Sequence, residues 1–130
     1  MNQEIAVTEI LAEYYRAFST LEIQSILPYF NEPALFIGAP GVFPVPDHAA
    51  LTTIINALIE DLRGKGYTRS QFDLREFKPM GLTSALASGV ALRYRADGRE
   101  LERIGISYLL HKTDNTWKIA VMVLHGPETA

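Results

Sequence analysis

Tyr67 to His125 reads YTRSQFDLREFKPMGLTSALASGVALRYRADGRELERIGISYLLHKTDNTWKIAVMVLH. Its apolar residues recur with a period of two, the repeat of a strand whose side chains alternate between faces. Four strands are predicted: Tyr67–Lys78, Ala85–Arg95, Glu100–Lys112 and Thr116–His125. Between them lie Pro79-Met80-Gly81, Ala96-Asp97-Gly98 and Thr113-Asp114-Asn115. Asp97-Gly98 is a strong hairpin signal, because both residues tolerate positive φ. Connections this short predict an antiparallel sheet. In the last strand Trp117, Ile119, Val121, Val123 and His125 alternate with Ala120, Met122 and Leu124. A strand apolar on both sides needs two partners. Helices can cover one side, and a second subunit is the economical cover for the other. A homodimer through the sheet is therefore expected.

Working outward, residues 3–19 carry Val7, Ile10, Leu11, Tyr14 and Phe18 at helical spacing, with Glu9, Glu13 and Arg16 opposite. A short second helix is predicted from about Leu21 to Phe30, limited by Pro28. Asn31-Glu32-Pro33 reads as a turn, and Ala34-Leu35-Phe36-Ile37 as a short buried strand. The two glycines and three prolines from Gly38 to Pro46 predict an irregular loop or a broken edge hairpin, strand-like only at Val42-Phe43. Asp47 is a good N-cap for a third helix with the stripe Leu51, Ile54, Ile55, Leu58 and Leu62. Gly64 and Gly66 stop it. Helices first and a meander after them predict one α+β domain over residues 1–130, with the helices packed on one sheet face.

The chain has 130 residues and a net charge of −3. A nucleic-acid binder would carry a basic face, whereas here the arginines between Arg69 and Arg103 are interleaved with acids. No cysteine is present. Disulfides, thiolate catalysis and iron–sulfur clusters are thereby excluded. Apolar runs are broken by charge or proline short of a membrane span. Met1-Asn2-Gln3-Glu4 lacks the basic start of a signal peptide. The expectation is a cytoplasmic protein that binds neither nucleic acid nor membrane.

Tyr14-Tyr15-Arg16-Ala17-Phe18 closes the first helix. Ile26-Leu27-Pro28-Tyr29-Phe30-Asn31-Glu32-Pro33-Ala34 enters the first strand, and Trp117-Lys118-Ile119 opens the last. These motifs, in this order, resemble the NTF2-like (SnoaL-like, cystatin-like) superfamily over nearly the whole chain. The resemblance implies a strongly bent sheet wrapped around a long helix as a cone, and a homodimer. The superfamily includes ketosteroid isomerase, cyclases, dehydratases, epoxide hydrolases and non-catalytic modules, so fold alone does not decide function.

The isomerase pattern places a carboxylate base just after the first strand, and a tyrosine with a protonated acid as its oxyanion hole. Here that place holds Gly38-Ala39, and the strand toward Leu110 presents Ile104, Ile106 and Tyr108. The constellation is absent. Asp47-His48 reads better as cap plus surface imidazole than as an acid–base pair. His111 is expected at the surface. No two histidines have ligand spacing, so no metal is expected, and no cofactor is implied. Gly38-Ala39-Pro40-Gly41 lacks the donors that a phosphate loop needs.

The candidates for a ligand pocket are Tyr14, Tyr15, Phe18, Arg93, Trp117 and His125. A tyrosine hydroxyl would hydrogen-bond a ligand, and an inward arginine would suit an anion. Each also has a plain structural reading: core packing for the aromatics, and cross-strand pairing with Glu100 or Glu102 for Arg93. Glu76 alternates with Phe72 and Leu74 and is a possible inward acid. Two functions stay open. One is a small-molecule pocket, with lyase, isomerase or cyclase chemistry on an apolar carbonyl-bearing ligand undecided. The other is a non-enzymatic binding or assembly module that dimerises through its sheet.

Overall fold

The structure, a computed structural model, describes residues 2–127. The elements run α1 (Gln3–Ser19), α2 (Ile23–Ile26), a 3-10 turn (Leu27–Tyr29), β1 (Phe30–Gly38), β2 (Gly41–Val45), α3 (His48–Gly64), β3 (Tyr67–Met80), β4 (Ser84–Arg95), β5 (Glu100–Thr113) and β6 (Thr116–His125).

The caps follow from local chemistry. Asn2 accepts hydrogen bonds from the Glu4 and Ile5 amides and starts α1. Asp47 accepts from the Ala50 amide at 2.9 Å and starts α3 as expected. Gly66, at φ +79°, carries the chain away from that helix. Asp114 and Asn115, at φ 53° and 61°, form the two-residue hairpin that their types favour. Pro28 breaks the second helix, so only Ile23–Ile26 is α-helical before the 3-10 turn.

The sheet is six-stranded and open, in the order β2-β1-β6-β5-β4-β3. The four long strands form the expected antiparallel meander. The whole sheet is mixed, not antiparallel, because β1 lies parallel to β6. That pairing joins distant segments, and no turn signal announces it. The proline-rich stretch Gly38 to Pro46 forms the edge hairpin of β1 with β2, Phe36 opposite Phe43.

Bulges in the ladders bend the sheet into an NTF2-like cone. Two of them decide which residues face the helices. The register passes from Leu110–Ile119 to Leu109–Val121, leaving Ala120 as the extra residue. Trp117 and Ile119 are therefore buried on the inner side, and beyond the bulge Met122 takes that side opposite Tyr108. Val121, Val123 and His125 fall on the outer side. The single apolar face expected from Trp117 to His125 is thus split. A second bulge between Leu74 and Glu76 sets Glu76 opposite Ser88, and Phe77 instead joins the core. Glu76 is exposed, not an inward acid.

On the inner face, Phe36, Met122, Tyr108, Ala87 and Phe77 lie in one row across five strands. Tyr108, Phe30, Ile26, Leu51, Ile55 and Leu62 are among the largest fully buried side chains. β4 presents Ala85, Ala87, Gly89 and Ala91 on this side, opposite inward positions of β3, and α1 packs mainly against β3. At roughly 25 cal/mol per Å² of apolar surface, each such large side chain contributes about 1.5–3 kcal/mol.

Candidate functional site

Between α1, α3 and the inner face of the sheet lies a cavity of about 140 Å³. Tyr14, Tyr15 and Phe18 enter from one turn of α1. Ile55 and Leu58 come from α3, and Ala91 and Arg93 from β4. Ile104, Ile106 and Tyr108 come from β5, and Met122 and Leu124 from β6 beyond the bulge. Aromatic edges pack at its base, with the Tyr14 ring centroid 6.2 Å from that of Tyr108 and 5.4 Å from that of Phe30.

Besides Ser70, whose hydroxyl bonds Tyr67, three polar features face this apolar chamber. The first is the Tyr15–Tyr108 pair, whose hydroxyls bond each other at 2.7 Å, one donating and one accepting. The Arg93 guanidinium donates one bond, from an Nη to Glu102 Oε1 at 2.7 Å, and lies 5.7 Å from the centre of the Phe18 ring. The third group is the Tyr14 hydroxyl. Tyr14 is 5% exposed, yet its hydroxyl makes no hydrogen bond among the described residues. No fully enclosed side-chain polar atom among them lacks a partner. The Tyr14 oxygen therefore opens onto the cavity that its residue lines.

Burial drives the ionisation of Tyr14 far above the ordinary phenol range, helped by the neighbouring Tyr15 and opposed by the positive Arg93. Burial also raises Tyr15, while the bond from Tyr108 and the Arg93 charge pull it down. Burial raises Tyr108 as well. All three stay neutral, so Tyr14 offers an O–H donor at any ordinary pH. None of the residues lining the cavity is Asp, Glu or His. The arrangement can hold an oxygen acceptor and stabilise negative charge on it. It has no base placed to take a proton from carbon.

Of the sequence candidates, Tyr14, Tyr15, Phe18 and Arg93 come together here. Arg93 satisfies both of its readings, lining the cavity and pairing across the strands with Glu102. Trp117 is buried on the inner side, under Lys112 at 5.7 Å, and lies off this cavity. His125 sits on the outer sheet face, where its Nε2 lies 3.0 Å from Ser107 Oγ and its Nδ1 3.1 Å from the Gly126 carbonyl. Ser107 in turn bonds Ser88 at 2.6 Å. His48 is tied to the Phe30 carbonyl at 3.0 Å, so Asp47-His48 is a cap and a tethered ring. His111 is exposed beside Thr113. Among the described residues no group of His, Asp and Glu could hold a metal ion.

Tyr108 was not among the sequence candidates, although its alternation with Ile104 and Ile106 places it inward. A wider groove of about 470 Å³ runs between α1 and β3 and shares Tyr15 and Ser70 with the cavity. The shared hydroxyls are already taken, Tyr15 by Tyr108 and Ser70 by Tyr67 at 2.6 Å.

A family model described as NTF2-like protein (DUF6841) matches residues 3–127. The chain belongs to this NTF2-like family. Solved structures agree on the fold. Aln2 from a Streptomyces species superposes with a TM-score of 0.80 at 16% identity, over 98% of this chain and 92% of that one. An NTF-2 like protein of unknown function from Shewanella oneidensis gives 0.75 at 14% identity, over 95% and 98%. A ketosteroid isomerase-like protein from Erwinia carotovora atroseptica gives 0.68 at 17% identity, over 95% and 96%. No curated protein matches. At such identities the likeness extends to the NTF2-like fold alone. The cavity of this NTF2-like chain has to be read from its own residues.

Proposed function

We propose that this NTF2-like protein binds a small apolar molecule carrying an oxygen acceptor in the cavity between α1, α3 and the sheet. The observation that carries the reading is the Tyr14 hydroxyl, which opens onto apolar walls and has no hydrogen-bond partner among the described residues. A ligand acceptor would take the place of water at this donor. The lining supports binding more than acid–base catalysis, because no carboxylate or imidazole faces the cavity. Isomerase, lyase or cyclase chemistry would need a base brought by the ligand or by water.

The test uses toluene and benzyl alcohol as probes, titrated against the isotope-labelled protein and followed by amide shifts. Shifts confined to α1, α3 and the inner strands support the proposal. Leu58→Trp, which fills the chamber, should abolish them. No saturable shift with either probe would sink it.

A second reading, assembly, has its own observation. Leu35, Val121, Leu109 and Leu86 form an aliphatic row across the outer face, followed by Ile37 and Val123 in the next row. All six are only partly buried. We propose that a second copy of the chain covers this face and that the protein works as a homodimer in the cytoplasm. Sedimentation of Leu109→Lys as monomer against a wild-type dimer would support it. A monomeric wild type at micromolar concentration would overturn it.

A further inference from the structure

We infer that the ligand of this cavity is a small monocarboxylate with a body about the size of one benzene ring, held by the Tyr14 hydroxyl and the free N–H groups of Arg93. The inference rests on the pocket reading above and narrows it to a chemical class.

Size comes first. A chamber of about 140 Å³ matches the apolar cavities of about 150 Å³ that hold a single benzene. A single ring or a branched chain of five or six carbons fits.

The polar complement comes next. A guanidinium has five N–H donors in a planar fork. Arg93 engages one acceptor, Glu102, and no other among the described residues. Tyr14 adds a donor. Tyr15 and Tyr108 bond each other, which spends one of their two O–H groups. The unspent donors thus come from Arg93, Tyr14 and one member of the Tyr15–Tyr108 pair, and no Asp, Glu or His lies on the cavity wall. With no carboxylate or imidazole on the wall to compete, this donor-rich set favours a group that only accepts, and the carboxylate is the strongest such group.

Charge agrees with this. Arg93 lines the chamber and Glu102 does not. The Arg93 charge also favours negative charge at the Tyr14, Tyr15 and Tyr108 oxygens. Glu102, more exposed at 33% against 15% for Arg93, sits on the solvent side of the pair. An anion in the chamber therefore meets the arginine, not the glutamate.

Benzoate and 3-methylbutanoate are the probes, with benzyl alcohol and toluene as neutral comparators. Affinities are measured by calorimetry or amide shifts at neutral pH. Benzoate should bind about ten-fold or more tightly than benzyl alcohol, the value of one charge-assisted hydrogen bond. Tyr14→Phe removes a hydroxyl with no protein partner, so it should fold as well as the wild type and lose that preference. Arg93→Lys keeps the charge and the Glu102 pair but not the fork, and should reduce it. Neutral probes that bind as well as benzoate, or better, would overturn the carboxylate inference and leave the pocket standing. Binding of no probe would remove both. Benzoate binding unchanged in Tyr14→Phe and in Arg93→Lys would place the anion elsewhere and overturn the assignment.

Discussion

The bond between the Tyr15 and Tyr108 hydroxyls makes a prediction that needs no ligand. The two oxygens are 2.7 Å apart, and their residues are 7% and 1% exposed. Tyr15→Phe or Tyr108→Phe removes one oxygen and little else. Each leaves its partner as a buried hydroxyl without a bond, which costs about 1–3 kcal/mol. Replacing both leaves two phenyl edges and no orphan, so the double variant should lie within about 1 kcal/mol of the wild type. The coupling between the sites is then about 2 kcal/mol in the direction of rescue. At this chain length roughly 4 °C of melting temperature corresponds to 1 kcal/mol. Each single variant should melt about 4–12 °C lower, and the double variant should recover most of the loss. Urea and thermal melts of the four proteins measure the cycle. If the double variant loses the sum of the two single losses to within about 0.5 kcal/mol, the two hydroxyls do not satisfy each other.

Alkaline titration should show three of the six tyrosines, Tyr14, Tyr15 and Tyr108, ionising only with unfolding, as read from ultraviolet absorbance. Their folded values lie above the ordinary 10.0, so their stabilisation is complete below that pH and is lost as pH rises beyond it. At the acid end, Asp97 is held low by the Arg99 backbone and side chain, and Glu100 by the Arg103 side chain. Both contribute stability above the ordinary carboxylate range that is lost as pH falls through it, and Glu100→Gln should flatten the acid limb of a melting-temperature profile. Asp47→Ala should cost about 1 kcal/mol in a urea melt through loss of the α3 cap, and Asp47→Asn much less. Gly89→Ala should destabilise the fold strongly, because the added carbon would run into the Asp73 carbonyl, a backbone group that cannot rotate away.

Much of the fold could be read from local pattern. Asp47 with the stripe from Leu51 to Leu62 marks α3, and Asp97-Gly98 and Asp114-Asn115 mark two turns of the meander. These signals lie within one element and its flanks. The parallel pairing of β1 with β6 has no such signal, because it depends on where the meander ends once it has bent. The site was legible to the same degree. Tyr14 and Phe18 lie on the helix stripe, so their inward course follows from helical spacing alone, and Tyr15 shares the buried side beside them.

The residues that strayed did so for one physical reason. Alternation assigns a face only while the ladder keeps its register, and an extra residue reverses every assignment beyond it. Ala120 is such a residue. Its small apolar side chain fits either face, so nothing in its type marks a bulge. Its effect reaches the site itself. With Ala120 in register, Val121, Val123 and His125 would follow Trp117 and Ile119 inward, and the cavity would gain an imidazole. With Ala120 extra, Met122 and Leu124 line the chamber instead, and His125 goes to the outer face with Ser107. One unremarkable alanine thus separates a chamber holding an imidazole base from a chamber without carboxylate or imidazole. The lack of a general base on the lining is what the binding proposal rests on, and a change of register at Ala120 would be enough to reverse that balance.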